Sequence, residues 1–174
     1  MARLENLLGA QALALSDRLR AAGTDAVPSS DSERAALVTL LAHPDQSVSW
    51  LGGVLGLTSS GVTRLVDRLV QAAWVTRTPG ADARSRRLRL TRVGRNRAKA
   101  VLAARRTAMS EALEALSAND RRELERLLDV VVGRLAETRL PALQVCRLCD
   151  RTACASNGRD CPLGHTVAGG GTDG

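Results

Sequence analysis

Apolar residues recur along the chain with two different periods, and the switch between them marks its centre. Val62, Leu65, Val66 and Leu69 recur at i, i+3, i+4 and i+7, which predicts a helix with one apolar face. A shorter helical pattern precedes it (Trp50, Leu51, Val54, Leu55), and Gly56-Leu57 supplies a turn between the two. Thr58 is the natural start of the second helix, because its hydroxyl can accept a hydrogen bond from a free first-turn amide. Beyond that helix the period becomes two. Trp74-Val75-Thr76-Arg77-Thr78 and Arg87-Leu88-Arg89-Leu90-Thr91 alternate like strands, with Pro79-Gly80 and an Arg-rich tip between them. The pattern predicts a helix-turn-helix, whose second helix suits a major groove, followed by a β-hairpin wing.

The flanks are helical. Leu4, Leu7, Leu8, Leu15 and Leu19 place a helix over residues 3–22, ending at Gly23, since glycine accepts the left-handed conformation of a helix end. Residues 24–29 read as a linker. Ser30 or Asp31 caps the next helix, which turns Ala36, Leu37, Leu40 and Leu41 inward and closes at His43-Pro44, because the residue before proline is pushed out of helical space. His43 reads as a helix-end residue rather than a ligand. Residues 92–115 form a long helix, basic in its first half and apolar with acids in its second. Ser117-Ala118-Asn119-Asp120 opens another in capping-box form. Its stripe of Leu124, Leu127, Leu128, Val131 and Leu135 predicts a helix to Leu140, interrupted by Pro141. The outer helices carry more apolar face than one small domain buries, which predicts a homodimer packed through them.

Phe and Tyr are absent and Trp occurs twice, so the core is built from Leu, Val and Ala. Charge is unevenly placed. Residues 58–106 hold 13 Arg and Lys against two acids, Asp67 and Asp82, a surplus of +11 in a chain of net charge +7, which leaves −4 for the remainder. A basic block beside an acidic remainder is the footprint of nucleic-acid binding. No leader pattern and no apolar stretch of membrane length is present, so the expected location is the cytoplasm, with no membrane partner. No nucleophile–base constellation or phosphate loop supports an enzyme.

The central stretch resembles the MarR family of winged helix-turn-helix transcription regulators. The resemblance rests on Thr63-Arg64-Leu65-Val66-Asp67-Arg68-Leu69 in the second helix, on Asp82-x-Arg84-Ser85 at the wing, and on Leu90-Thr91-x-x-Gly94 entering the next helix, and it covers roughly residues 1–140. Two places depart from the family. Ala73-Trp74 stands where Gly-Leu is usual, and Gly52-Gly53 where a Leu-Ala pair followed by polar residues is usual. The resemblance implies a homodimeric repressor on double-stranded DNA with a pseudo-palindromic operator. It also implies that Asp82 braces the wing tip while Arg84 enters the minor groove. Ser59, Ser60, Thr63, Arg64 and Arg68 are candidates for the major groove, Arg86 and Arg87 for the DNA backbone, and Arg77 is a further DNA-binding candidate. Family members often bind small aromatic acids or drugs between the dimer helices and the DNA lobe, which makes a small-molecule effector a rival signal.

All four cysteines fall near the end, as Cys146-x2-Cys149-x4-Cys154-x6-Cys161-Pro162. Four thiolates so close together can converge on one centre, and Asp150, Asn157 and Gly158 let the backbone turn around it. Three readings stand. An iron–sulfur cluster accepts such spacing, and Cys-Pro closes ferredoxin-type motifs. A structural zinc usually takes two short Cys-x2-Cys knuckles, and one is present here. The third is a metal-free thiol switch. A redox, oxygen or iron sensor follows from the first, a zinc-stapled tail from the second. A redox protein that uses the winged unit only for docking is the remote alternative. The expected architecture is mainly α with a small β-wing. It comprises an N-terminal dimerisation helix and linker (1–29), a winged helix-turn-helix lobe (30–94), C-terminal dimerisation helices (95–145), the four-cysteine motif (146–162) and a disordered tail (163–174).

Overall fold

The computed structural model describes residues 2–79, 86–156 and 160–168. It is mainly helical with one small antiparallel sheet, as the patterning predicts. Helix α1 spans Arg3–Ala26 and α2 spans Asp31–Ala42. A complete capping box starts α2: Ser30 Oγ accepts from the Glu33 amide at 3.3 Å, and Glu33 Oε2 accepts from the Ser30 amide at 2.9 Å. Arg34 is buried despite its charge. Its guanidinium donates to the carbonyls of Val27 and Ser29 and to the Asp31 carboxylate, tying the turn between α1 and α2. α1 does not end at Gly23. That glycine lies against the Arg34 side chain, so its small size serves packing, and the helix continues to Ala26.

α3 (Val48–Leu55), capped by Ser47, and α4 (Ser59–Gln71), capped by Thr58, form the helix-turn-helix. Gly56 joins them at φ 64°, a conformation glycine adopts without steric cost. Val62, Leu65, Val66 and Leu69 of α4 are buried against Leu37 and Leu40 of α2 and Leu51 of α3. The wing consists of β2 (Val75–Pro79) and β3 (Arg86–Leu90), with Val75 opposite Leu90 and Thr78 opposite Arg87. Val75, Leu88 and Leu90 turn inward onto the same core. A further strand, β1 (Gln46–Ser47), pairs with the other edge of β3. Its two residues are too few to show an alternation in sequence.

α5 (Arg92–Ala112) starts at Thr91, whose hydroxyl accepts from the Gly94 amide at 3.0 Å and donates to the Ala73 carbonyl at 2.8 Å. A Cβ on Gly94 would stand 2.0 Å from the Trp74 carbonyl oxygen, so the close approach of α5 to the wing requires glycine. Both α1 and α2 lie along α5.

α6 (Ala118–Gly133) opens with the Ser117–Asp120 capping box, but it does not reach Leu140. Arg134 and Leu135 tighten the end through three-residue amide bonds to Val131 and Val132, and the chain then turns so that Ala136 is buried with Ala142 and Leu163. A separate helix, α7 (Arg139–Val145), follows. Pro141 lies in its first turn, where a missing amide costs no hydrogen bond, so the proline helps start a helix rather than ending one. α7 packs on α3 of the helix-turn-helix instead of extending the outer helices. Two short helices close the described chain, α8 (Arg151–Cys154) and α9 (His165–Ala168). The expectation of disorder from residue 163 fails at its start: Leu163 and Thr166 are buried, and Thr166 Oγ1 donates to the Leu163 carbonyl at 2.7 Å. Residues 169–174 lie outside the described residues. Among the described residues no helix is long and apolar enough to cross a membrane.

Candidate nucleic-acid interface and cysteine cluster

The amphipathic pattern of α4 turns its apolar stripe into the core and leaves Ser59, Ser60, Thr63, Arg64, Asp67 and Arg68 exposed on the other side. Thr58 Oγ1 accepts from the Gly61 amide at 3.2 Å, which holds the first turn, and Thr63 Oγ1 donates to the Ser59 carbonyl at 2.8 Å. Arg64 forms no ion pair among the described residues. Arg68 is placed differently. Its Nε donates to Glu33 Oε1 at 2.6 Å, which ties the end of α4 to the start of α2. Partial burial would raise the Glu33 carboxyl, but hydrogen bonds from Arg68 and Ser30 outweigh it and hold the group below its ordinary value.

The wing is braced from within. Arg77 donates to Asp67 on α4 at 2.6 Å. Arg89 grips both carboxylate oxygens of Asp45, at 2.9 and 2.7 Å, and Arg87 donates to the Asp45 carbonyl at 3.3 Å. Asp45 itself sits at φ 61° in the turn after α2. The Arg89 hydrogen bonds push the Asp45 carboxyl down. Arg95 donates to the Leu90 carbonyl at 2.9 Å and Arg97 lies over the Trp74 ring. Several arginines of the basic block therefore also hold the fold. Arg86 is exposed at the start of β3. Asp82 and Arg84 lie outside the described residues, as do Gly80 of the expected turn and Asn157, Gly158 and Arg159 of the cysteine segment. The pairings of Arg68 with Glu33 and of Arg89 with Asp45 have no local sequence signal, because the partners are 35 and 44 residues apart.

The fold draws Cys146, Cys149, Cys154 and Cys161 to the wall of one cavity of about 120 Å³, shared with His43, Val54 and Leu163. Cys146 ends α7 and Cys154 ends α8, while Cys161 precedes the Pro162–Gly164 turn. The Cys146 thiol donates to Cys149, which brings the Cys149 pKa down to about 6 and pushes that of Cys146 up. Burial and the neighbouring sulfurs also raise Cys154. Among the described residues no group of three or more His, Cys, Asp or Glu side chains is gathered to hold a single metal ion. His165 does not line the cavity; its ring nitrogens face the carbonyl oxygens of Pro162 and Ala136.

A second cavity, of about 540 Å³, lies between α1, α2 and α5. Leu15, Leu19 and Met109 give it apolar wall, and Arg20, Arg105 and Arg147 give it positive charge.

A family profile described as MarR family matches residues 30–85. The chain is similar to a MarR family protein from Bacillus stearothermophilus, at 30% identity and a TM-score of 0.66, over 74% of this chain and 89% of that one. It is similar to a Mycobacterium tuberculosis protein at 27% identity and a TM-score of 0.68, over 77% and 92% of the two chains. A Mycobacterium tuberculosis MarR family protein in complex with salicylic acid is 27% identical, with a TM-score of 0.59, over 75% and 97%. No curated protein matches the sequence.

Proposed function

Because the chain belongs to the MarR family of winged-helix transcription regulators, we propose that it represses transcription as a homodimer on a pseudo-palindromic DNA operator. The observation that carries this reading is the exposed face of α4, which presents Ser59, Ser60, Thr63 and Arg64 to solvent, together with a wing rich in arginine. In this reading the first turns of α4 enter the major groove and the hydroxyls and Arg64 meet phosphates and base edges. Arg86 and Arg87 lie along the DNA backbone, Asp82 braces the wing tip and Arg84 enters the minor groove. Arg68 and Arg77 act chiefly by setting the angle of α4 and the wing through Glu33 and Asp67.

A second copy accounts for apolar surface that the monomer leaves in water. Leu4, Leu7, Leu8 and Leu13 of α1 are exposed, and so are Val130 and Val131 on α6, a helix with no buried residue. Pairing these faces sets two recognition helices about one turn of DNA apart.

The cavity between α1, α2 and α5 favours a second reading of the signal. Apolar walls with guanidinium groups suit a small aromatic carboxylate, which would load the cavity between the dimer helices and the DNA lobe. The cysteine tail is then a structural element, holding zinc or none. Selection of duplexes from a random pool, followed by titration of the enriched site, tests the DNA-binding reading. Enrichment of an inverted repeat with half-sites one turn apart supports it; no enrichment by the purified dimer contradicts it.

A further inference from the structure

The four-cysteine segment is built onto the helix-turn-helix, and that placement gives it a task. Gln144 of α7 donates to the Gly53 carbonyl of α3 at 3.0 Å, and Leu140 lies 3.4 Å from where a Cβ on Gly53 would stand. Thr39 of α2 donates to the Arg147 carbonyl at 3.2 Å, and Arg151 reaches the ring of His43, which itself lies against Trp50 of α3. Gly53 is one of the two glycines that depart from the family pattern. Its carbonyl receives the Gln144 amide and Leu140 packs beside it, so α7 meets α3 at this glycine.

The cysteines stand around a volume. All four line the cavity of about 120 Å³, and among the described residues no three of them gather to hold a single ion. A single tetrahedral zinc needs its sulfurs to meet at one point, at about 2.3 Å from the ion. A polynuclear iron–sulfur centre takes one thiolate per outer iron and fills the space between them. Arg139, Arg147 and Arg151 also line the cavity and offset the negative charge of such a centre. Val54, Ala142 and Leu163 line the same cavity, and Cys146 and Cys161 pack against the cluster of Ala136, Ala142 and Leu163, which gives the centre apolar cover.

We propose that Cys146, Cys149, Cys154 and Cys161 hold an iron–sulfur cluster that fastens α7 onto α3, so that occupancy of the cluster sets how firmly the helix-turn-helix is held. The cluster acts from the DNA lobe side, through Gly53 and His43. Its effect on DNA rests on the function proposed above, but neither test below uses DNA, so the two readings fail separately.

The full-length protein is purified without oxygen, and iron, acid-labile sulfide and zinc are counted per chain. Where iron is low, the apo protein is reconstituted anaerobically with iron(II) and sulfide. The proposal expects iron and sulfide in matching amounts and a broad visible absorption that Cys149→Ser and Cys161→Ser both abolish. One zinc per chain without sulfide overturns it, as does a wild-type protein that takes up no iron and sulfide. Amide exchange of wild-type protein with and without the cluster then reads the fastening. Residues 48–55 and 139–145 should exchange at least tenfold faster without the cluster. Equal exchange of the two forms overturns the clamp, and because it compares one sequence in two states it does not depend on a variant folding.

Discussion

Arg68 on the last turn of α4 donates from Nε to Glu33 Oε1 at 2.6 Å, while the other oxygen of Glu33 caps the amide of Ser30. One carboxylate thus starts α2 and anchors the second helix of the helix-turn-helix. Glu33→Gln keeps the shape and loses the charge. We expect a loss of about 1 kcal/mol, modest because the Arg68 side chain is half exposed and screened. The pH dependence has a definite sign. The folded-state pKa of Glu33 lies below its ordinary 4.5, so its contribution is complete above that pH and lost as pH falls through the lower folded value. The gap in melting temperature between wild type and Glu33→Gln should be constant near neutrality and shrink in acid.

Arg64 and Arg68 should separate in function although both lie on the exposed side of α4. Arg64→Ala should weaken operator binding by about tenfold or more and leave the melting temperature unchanged, the pattern expected for a side chain that meets DNA. Arg68→Ala should lower the melting temperature and weaken binding less. Arg84→Ala should also cost about tenfold in operator affinity without disturbing the dimer. Anisotropy titration beside thermal unfolding checks all three.

Ala73 adopts φ 56° in the turn between α4 and β2, at the place where the family usually has glycine. An alanine held in the left-handed region costs roughly 1 kcal/mol. Ala73→Gly should therefore stabilise the fold by about 0.5 to 1 kcal/mol after the added freedom of the unfolded chain is offset. Urea unfolding with an unchanged slope is the check.

Gly94 is the opposite case. Its missing Cβ lets α5 pass the Trp74 carbonyl, and Gly94→Ala forces the wing and α5 apart. The expected loss is about 3 kcal/mol, since backbone cannot move aside as a flexible side chain does. Denaturant titration should show it, together with weaker packing of Trp74 by fluorescence.

Asp45 links the turn after α2 to the wing through Arg87 and Arg89. Asp45→Gly accepts the same positive φ and removes only the carboxylate. Amides of 86–90 should exchange faster while those of α4 do not.

The helix-turn-helix was legible because Val62, Leu65, Val66 and Leu69 carry one period and Thr58 one clear cap, all within a few turns of chain. The capping boxes at Ser30 and Ser117 were legible for the same reason: their partners are three residues away. What escaped depends on distant partners. The stripe of α6 continues past Gly133 in sequence, yet the chain turns because Ala136 finds Ala142 and Leu163. The seat of α7 on α3 depends on Gln144 meeting a carbonyl 91 residues away, and Gly52-Gly53 alone does not announce it. The burial of Leu163 and Thr166 could not be read from a tail rich in glycine beyond them.

The central claim is that α4 and the wing of two copies read a DNA operator through arginine. It is tested most directly by titrating wild type and Arg64→Ala against the selected operator over a range of salt. The account predicts a steep linear fall of log affinity with log salt for wild type, and a loss of about tenfold or more in the variant. Wild-type affinity that ignores salt, or a folded Arg64→Ala dimer that binds the operator as tightly as wild type, would contradict it.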